Sequence, residues 1–143
     1  MLLLAQTDTT VGFLSKDPTA INRIKQRKLQ TPVLKTLPSF KALHSHSRTP
    51  KKFRSQIRRL KKSTFILDNG RSFRVVDKNS LHHKVLEKFG ALYSSSANAT
   101  KKSYNDSFAL SQADLIIKDE RGLFEGQGSH IFKYGREKVR RVR

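Results

Sequence analysis

Apolar and polar residues alternate between two periods along the chain, and the switches between them outline the elements. Leu2-Leu3-Leu4-Ala5 is a short continuous apolar run, the pattern of an interior strand covered on both faces. A polar turn, Gln6 to Thr10, separates it from Val11-Gly12-Phe13-Leu14. Asp17-Pro18 predicts a helix start, with Asp17 as the cap and Pro18 at the first helical position; Ala20, Ile21 and Ile24 form its apolar face. Pro32-Val33-Leu34 reads as a further strand. Phe53, Ile57 and Leu60 recur at helical spacing within a basic stretch running from Pro50 to Lys62. Ser63–Leu67 and Ser72–Val76 flank Asp68-Asn69-Gly70 and predict a hairpin.

Leu81, Val85, Leu86 and Phe89 mark another helix, which Gly90 stops. Ala91-Leu92-Tyr93 then predicts a strand leading into Ser94-Ser95-Ser96-Ala97-Asn98. A helix near 106–113, a strand at 115–117, a glycine-rich loop and a strand at 131–134 complete the order. Interleaved strands and helices with one hairpin predict an α/β fold, a single-domain twisted mixed β-sheet with flanking helices. The length of 143 residues fits one domain, 1–143.

Charge changes the picture most. Thirty Lys and Arg oppose eleven Asp and Glu, leaving a net +19. Between Asp17 and Asp68 there is no acidic residue, yet fourteen Lys or Arg fall there. A solvated surface usually mixes both signs, so the bias points to a polyanionic partner. The basic polar segment of about 44–62 supplies the candidate RNA contacts Lys51, Lys52, Arg54, Arg58, Arg59, Lys61 and Lys62. With no cysteine, disulfides, thiolate catalysis and cysteine zinc sites are excluded. The apolar start is too short for a membrane span, so a cytoplasmic protein with no membrane partner is expected. His44, His46, His82 and His83 lack further partners at ligand spacing, and no metal site is expected.

Four segments could carry chemistry. Thr7-Asp8-Thr9 follows the first strand, where ligand crevices of open α/β sheets form; in an extended turn Thr7 and Thr9 share a side and Asp8 takes the other. An ordinary Thr/Asp turn is the simpler reading of that segment alone. Lys25 and Arg27 face one way only if the helix ends near Lys25, and could then grip one polyphosphate; otherwise they are cations at a helix C-terminus. Ser94, Ser96 and Asn98 share a face if extended, offering alternating donors and acceptors, or else belong to a plain serine-rich loop. Gly122, Gly126 and Gly128, with Ser129, fit neither the Rossmann nor the P-loop spacing, so backbone approach and a mobile loop both remain open. Arg74, inside the apolar strand Phe73-Arg74-Val75-Val76, is either solvated on an outer face or an anion ligand in a cleft.

The order of these segments, Thr7-Asp8-Thr9 with Gly12, Lys25-x-Arg27, Ser63-Thr64-Phe65-Ile66, Phe73-Arg74-Val75, Ser94-Ser95-Ser96-Ala97-Asn98 and Gly128-Ser129-His130-Ile131, resembles the YrdC-like family of threonylcarbamoyl-adenylate synthases. Its patterns are a P-T-D/E-T-V-Y-G-L turn, K-x-R-P, G-P-x-T-x-x, A-V-R-V, S-T-S-A-N and G-x-x-S-T-I. The resemblance spans nearly the whole chain and implies a twisted sheet around a positively charged cavity. It implies an enzyme that joins threonine, bicarbonate and ATP, with Mg²⁺, into threonylcarbamoyl-adenylate and pyrophosphate for tRNA modification. By motif match, Thr7, Arg74 and Ser129 would hold threonine or its carbamate, and Lys25, Arg27, Ser94, Ser96, Asn98 and Arg141 the ATP. Partner proteins of tRNA modification are implied as well, and tRNA or double-stranded RNA is the implied polyanion. A non-catalytic RNA-binding module on the same fold is the alternative. Gln6, Val11, Lys28 and Thr31 depart from the family's proline, tyrosine, second proline and lysine, and Ser95 and His130 replace threonines. Relative to the family, the chain begins at the first motif strand and has a shortened middle.

Overall fold

The computed structural model describes residues 1–143. Nine strands and five α-helices alternate: β1 (Leu3–Gln6), β2 (Val11–Ser15), α1 (Pro18–Ile24), β3 (Leu34–Leu37), α2 (Phe40–Leu43), α3 (Arg54–Arg59), β4 (Ser63–Ile66), β5 (Ser72–Val75), α4 (Leu81–Phe89), β6 (Leu92–Ser96), α5 (Asp106–Gln112), β7 (Leu115–Ile117), β8 (His130–Tyr134) and β9 (Val139–Arg141). A 3-10 turn, Lys51–Phe53, leads into α3. The strands form one mixed sheet in the order β7-β1-β2-β6-β3-β5-β4-β8-β9. β1–β7, β3–β5 and β4–β8 are parallel pairs, and the other neighbours are antiparallel. No helix is long and apolar enough to cross a membrane.

Strand alternation explains the layers. Leu4 and Phe13 point to one face and pack with Ile21 of α1 and Ala109 of α5. Leu3, Ala5 and Leu14 point to the other and meet Val85 and Leu86 of α4. Both faces of β1 are therefore covered, the reason its sequence is apolar without interruption. Phe65, Phe73 and Leu37 pack with Phe53, Ile57, Leu43 and Tyr134 in a third cluster beneath β3, β5 and β4. That side consumes the aromatic residues of β4 and β5. The opposite side of the same strands carries Thr64, Ile66, Ser72 and Arg74, and is free to line a polar cavity.

Local chemistry sets the boundaries. Asp17 accepts from the Thr19 N–H at 2.9 Å with Pro18 opening α1, and Ser80 caps α4 through the His83 N–H at 3.2 Å. Gly90 ends α4 at φ +83°, a conformation glycine adopts without strain. Three expectations shift. β3 begins at Leu34 rather than Pro32, because Pro32 offers no N–H to a ladder and with Val33 lines the cavity mouth. The Pro50–Lys62 helix shrinks to six residues, since Leu60 turns extended and Lys62 takes φ +48°. Short α2 and edge strand β9 leave no clear periodic pattern in the sequence.

Candidate active site

A cavity of about 410 Å³ opens where β2, β6, β3, β5 and β4 present their polar faces. Its floor follows from the period-2 pattern just described. Gly12 pairs with Ser96, Leu14 with Ser94, and Ser94 with Leu34, so Ser94 and Ser96 leave the sheet on one side together. Gly12 has no side chain to fill this space. A Cβ there would lie 2.9 Å from Thr7 Cγ2 and 3.1 Å from the Ser95 carbonyl oxygen.

The Thr7–Thr10 turn forms one wall and is braced from within. The Thr7 hydroxyl accepts from the Thr9 and Thr10 N–H groups, both at 3.2 Å, and donates to the Thr10 carbonyl. Thr7 and Thr9 hydroxyls lie 3.3 Å apart on the cavity side, whereas Asp8 turns inward to Arg74 and His82. The glycine-rich loop closes over this turn. The Gly126 N–H donates to Thr10 Oγ1 at 2.9 Å, and a Cβ on Gly126 would fall 2.2 Å from the Thr9 carbonyl oxygen. Arg121 fastens the loop from behind, donating to the Gln6 and Thr7 carbonyls at 2.8 and 3.1 Å and to Asp119 at 2.7 Å.

Cations converge from four places. Arg27 lines the cavity, and its Nε and Nη2 are buried without a protein partner. Burial lowers its guanidinium pKa from the ordinary value. Arg74 is almost fully buried; its Nη2 lies 3.1 Å from Asp8 Oδ1 while its Nε has no partner. Arg143 reaches in from beyond β9, donating through Nε to the Ser129 carbonyl at 3.0 Å. Lys25, just past α1, donates to the carbonyls of Ser96 and Asn98 at 2.9 and 2.8 Å. Burial first, then the neighbouring charge of Arg27, push its ammonium pKa down to about 8. On the far wall the Thr64 and Ser129 hydroxyls share a hydrogen bond of 2.8 Å. Glu125 is the one carboxylate among the lining residues.

The structure brings Thr7, Arg27, Arg74, Ser94, Ser96, Asn98 and Ser129 to one cavity. α1 does end at Ile24, with Gln26 at φ +53°, the condition on which Lys25 and Arg27 could serve one site. Lys25 stands behind the lining, however, bracing the Ser96–Asn98 segment instead of facing open space. Arg74 is also less free than a bare anion ligand, because it is paired with Asp8 at 3.1 Å. Arg141 sits exposed on β9 against His130, at 3.0 Å, and is not part of the cavity; Arg143 lines it instead. The alternation of β9 could not place Arg143, which lies past the strand. Thr64 was legible within the Ser63-Thr64 strand, while Asp8 and His82, 74 residues apart, meet only through the tertiary fold. Lys51, Lys52, Arg54, Arg58, Arg59, Lys61 and Lys62 are all exposed and lie outside the cavity.

Comparison with known proteins bears on the fold. No protein-family model and no curated protein matches the sequence. Solved structures do match over 99% of this chain. Sua5 from P. abyssi superposes with a TM-score of 0.78 at 14% identity, YciO from E. coli with 0.76 at 20%, and MTH1692 from Methanobacterium thermoautotrophicum with 0.71 at 17%. The chain spans 52% of the Sua5 chain, 82% of YciO and 79% of MTH1692. At such identities the likeness is one of architecture: this chain has the YrdC/Sua5-like fold, a mixed nine-stranded sheet with flanking helices.

Proposed function

We propose that this protein is a threonylcarbamoyl-adenylate synthase whose cavity binds ATP beside a carbamate of threonine. The observation that carries the reading is the buried, unpartnered Nε and Nη2 of Arg27 in a hydroxyl-lined cavity that Arg74 and Arg143 also enter. Buried guanidinium nitrogens with idle N–H groups fit a ligand that supplies oxygen anions. Ser94, Ser96, Asn98 and the glycines of the 126–128 loop provide neutral contacts and close backbone approach for the rest of a nucleotide.

In this reading threonine's amine nitrogen bonds the carbon of bicarbonate, a C–O bond of bicarbonate breaks, and its oxygen leaves as water with the amine proton, giving a carbamate. A carbamate oxygen attacks the α-phosphorus of ATP, the bond to the bridging oxygen of the β-phosphate breaks, and pyrophosphate leaves. Arg27 and Arg143 hold the phosphates, with Lys25 stiffening the Ser96–Asn98 wall behind them; Arg74, Thr7 and Ser129 face the carbamate and amino acid. No side-chain nucleophile is required, so alignment and charge neutralisation supply the rate. Mg²⁺ would arrive on the ATP phosphates and neutralise their charge. Glu125 suits a place beside it, since Mg²⁺ commonly takes one or two carboxylates plus substrate oxygens. tRNA-directed modification and its partner proteins belong to the same proposal, as does a cytoplasmic location.

The test is threonine-dependent pyrophosphate release from ATP and bicarbonate in the presence of Mg²⁺, with Arg27→Ala as control. Release that is absent, or equal in the control, rejects the reading.

A second reading, an RNA-binding module, is favoured by the exposed cations of the 3-10 turn, α3 and the residues after it. Lys52 alone among the seven meets a carboxylate, Glu137, at 3.5 Å. Affinity for a short RNA duplex should fall steeply with salt, and the log–log slope should flatten by about two on changing Arg58 and Arg59 together to alanine. A slope near zero in the unaltered protein excludes this module.

A further inference from the structure

A second cavity, of about 460 Å³, adjoins the first across Pro32, Val33 and Ser72. It lies on the opposite face of the sheet. Lys35 pairs in register with Tyr93 on β6 and with Phe73 on β5, whereas their neighbours Leu34, Ser94 and Arg74 face the first cavity. Its chemistry differs from the first. Lys35 Nζ stands 3.4 Å from His46 Nδ1 and 4.9 Å from the centre of the Tyr93 ring. Arg71 enters from the hairpin side and donates through Nη1 to the His46 carbonyl at 2.8 Å.

Lys35, His46, Arg71 and Tyr93 are the titratable groups of this cavity, and no carboxylate lines it. The two nearest acids along the chain are occupied elsewhere: Asp17 caps α1 and Asp68 faces Arg136 at 4.0 Å. Burial, then the charge of Arg71, lowers Lys35 from its ordinary pKa value, and burial, then the charges of Lys35 and Arg71, lowers His46. Lys35 and Arg71, two cations drawn together beside the His46 imidazole without a counter-charge, make a costly arrangement on their own, and an anion relieves it.

We propose that this second cavity is a phosphate-binding site, in which Lys35 and Arg71 grip a phosphate group and His46 joins them as a donor when protonated. A lysine point charge with an arginine fork suits phosphate, and the flanking Tyr93 ring leaves room for what the phosphate carries. The phosphate is either free, as inorganic phosphate or a mononucleotide, or part of an RNA backbone. The site does not depend on the synthase reading, because its residues are distinct from the cations of the first cavity.

The test is an NMR titration that follows the His46 ring signals, with inorganic phosphate, AMP and a short single-stranded oligoribonucleotide as separate probes. We expect saturable shifts with at least one probe. Affinity should weaken about tenfold in Lys35→Met, which keeps the apolar stem, and in Arg71→Ala, whose side chain is exposed and outside the core. Arg27→Ala should leave the titration unchanged. Response to phosphate or AMP assigns a free ligand; response to the oligonucleotide alone assigns RNA. His46 signals that stay still with all three probes, or that move equally in both Lys35→Met and Arg71→Ala, overturn the proposal, as does loss of the response in Arg27→Ala.

Discussion

Arg74 Nη2 lies 3.1 Å from Asp8 Oδ1, with both side chains at 5% exposure or less. The same carboxylate oxygen is 3.2 Å from His82 Nδ1, on a ring that is fully buried. One carboxylate thus ties the turn after β1 to β5 and α4, holding an arginine of the cavity wall in place. A buried ion pair is costly to break from one side, because the surviving charge stays buried. Asp8→Asn should therefore cost about 3–5 kcal/mol in denaturant unfolding. A loss below about 1 kcal/mol would show that Arg74 finds other solvation.

The same cluster predicts an acid-side loss of stability. Burial lowers the His82 pKa, outweighing the hydrogen bond and charge of Asp8, so His82 is neutral in the fold. Below the unfolded histidine value of about 6.5 the unfolded chain binds a proton that the native chain refuses, and stability falls as pH drops. Burial opposes ionisation of Asp8, but its hydrogen bond to His82 and the charge of Arg74 prevail and lower its pKa. Its contribution is present above the unfolded carboxylate value of about 3.9 and lost as pH falls through the lower folded value. Unfolding free energy should decline from about pH 6.5 downward, and His82→Gln should flatten the upper part of that decline. An unaltered slope in that variant would remove His82 as its source.

If the cavity takes ATP as proposed, Lys25 should make that affinity sensitive to alkali. Its pKa of about 8 means the free protein loses this charge just above neutrality. Affinity for ATP should fall as pH rises through about 8, by at most tenfold per unit, while Lys25→Arg should hold it level, since arginine does not titrate there. Calorimetric titrations at pH 7 to 9.5 check this, and a level profile in the unaltered protein would deny Lys25 any electrostatic part in binding.

Gly126 tests the closure of the glycine-rich loop. A methyl group 2.2 Å from the Thr9 carbonyl oxygen meets backbone, which cannot swing aside, so the loop or the Thr7–Thr10 turn must move. Gly126→Ala should cost about 1–3 kcal/mol and weaken nucleotide binding, whereas Gly128→Ala meets only the flexible end of Arg143 and should cost far less. Equal effects of the two changes on melting and ATP titration would contradict the packing.

Arg141 and Arg143 separate a motif-based assignment from the geometry. Arg143→Ala should weaken ATP binding about tenfold or more, as loss of a charged contact does. Arg141→Ala, on an exposed strand beside His130, should leave it near the original value. The reverse ranking in a binding titration would restore Arg141 to the site.

Much of the fold was written in local pattern. The unbroken apolar run of β1, the Asp17-Pro18 start of α1, the Asp68-Asn69-Gly70 hairpin and the Gly90 stop each rest on interactions within a few residues, which nearby side chains dictate. Strand alternation likewise put Ser94 and Ser96 on one face and sent Thr7 and Thr9 away from Asp8. Local pattern also set the net charge and its crowding between Asp17 and Asp68. Tertiary structure alone decided which distant groups became partners: Asp8 with Arg74 and His82, Lys25 with the Ser96 and Asn98 carbonyls, Arg143 with Ser129. It also fixed the sheet order that sets Lys35 between Tyr93 and Phe73. The reason is physical. Backbone periodicity says which way a side chain leaves its strand, but the electrostatic environment it enters is made by strands that arrive from elsewhere in the chain.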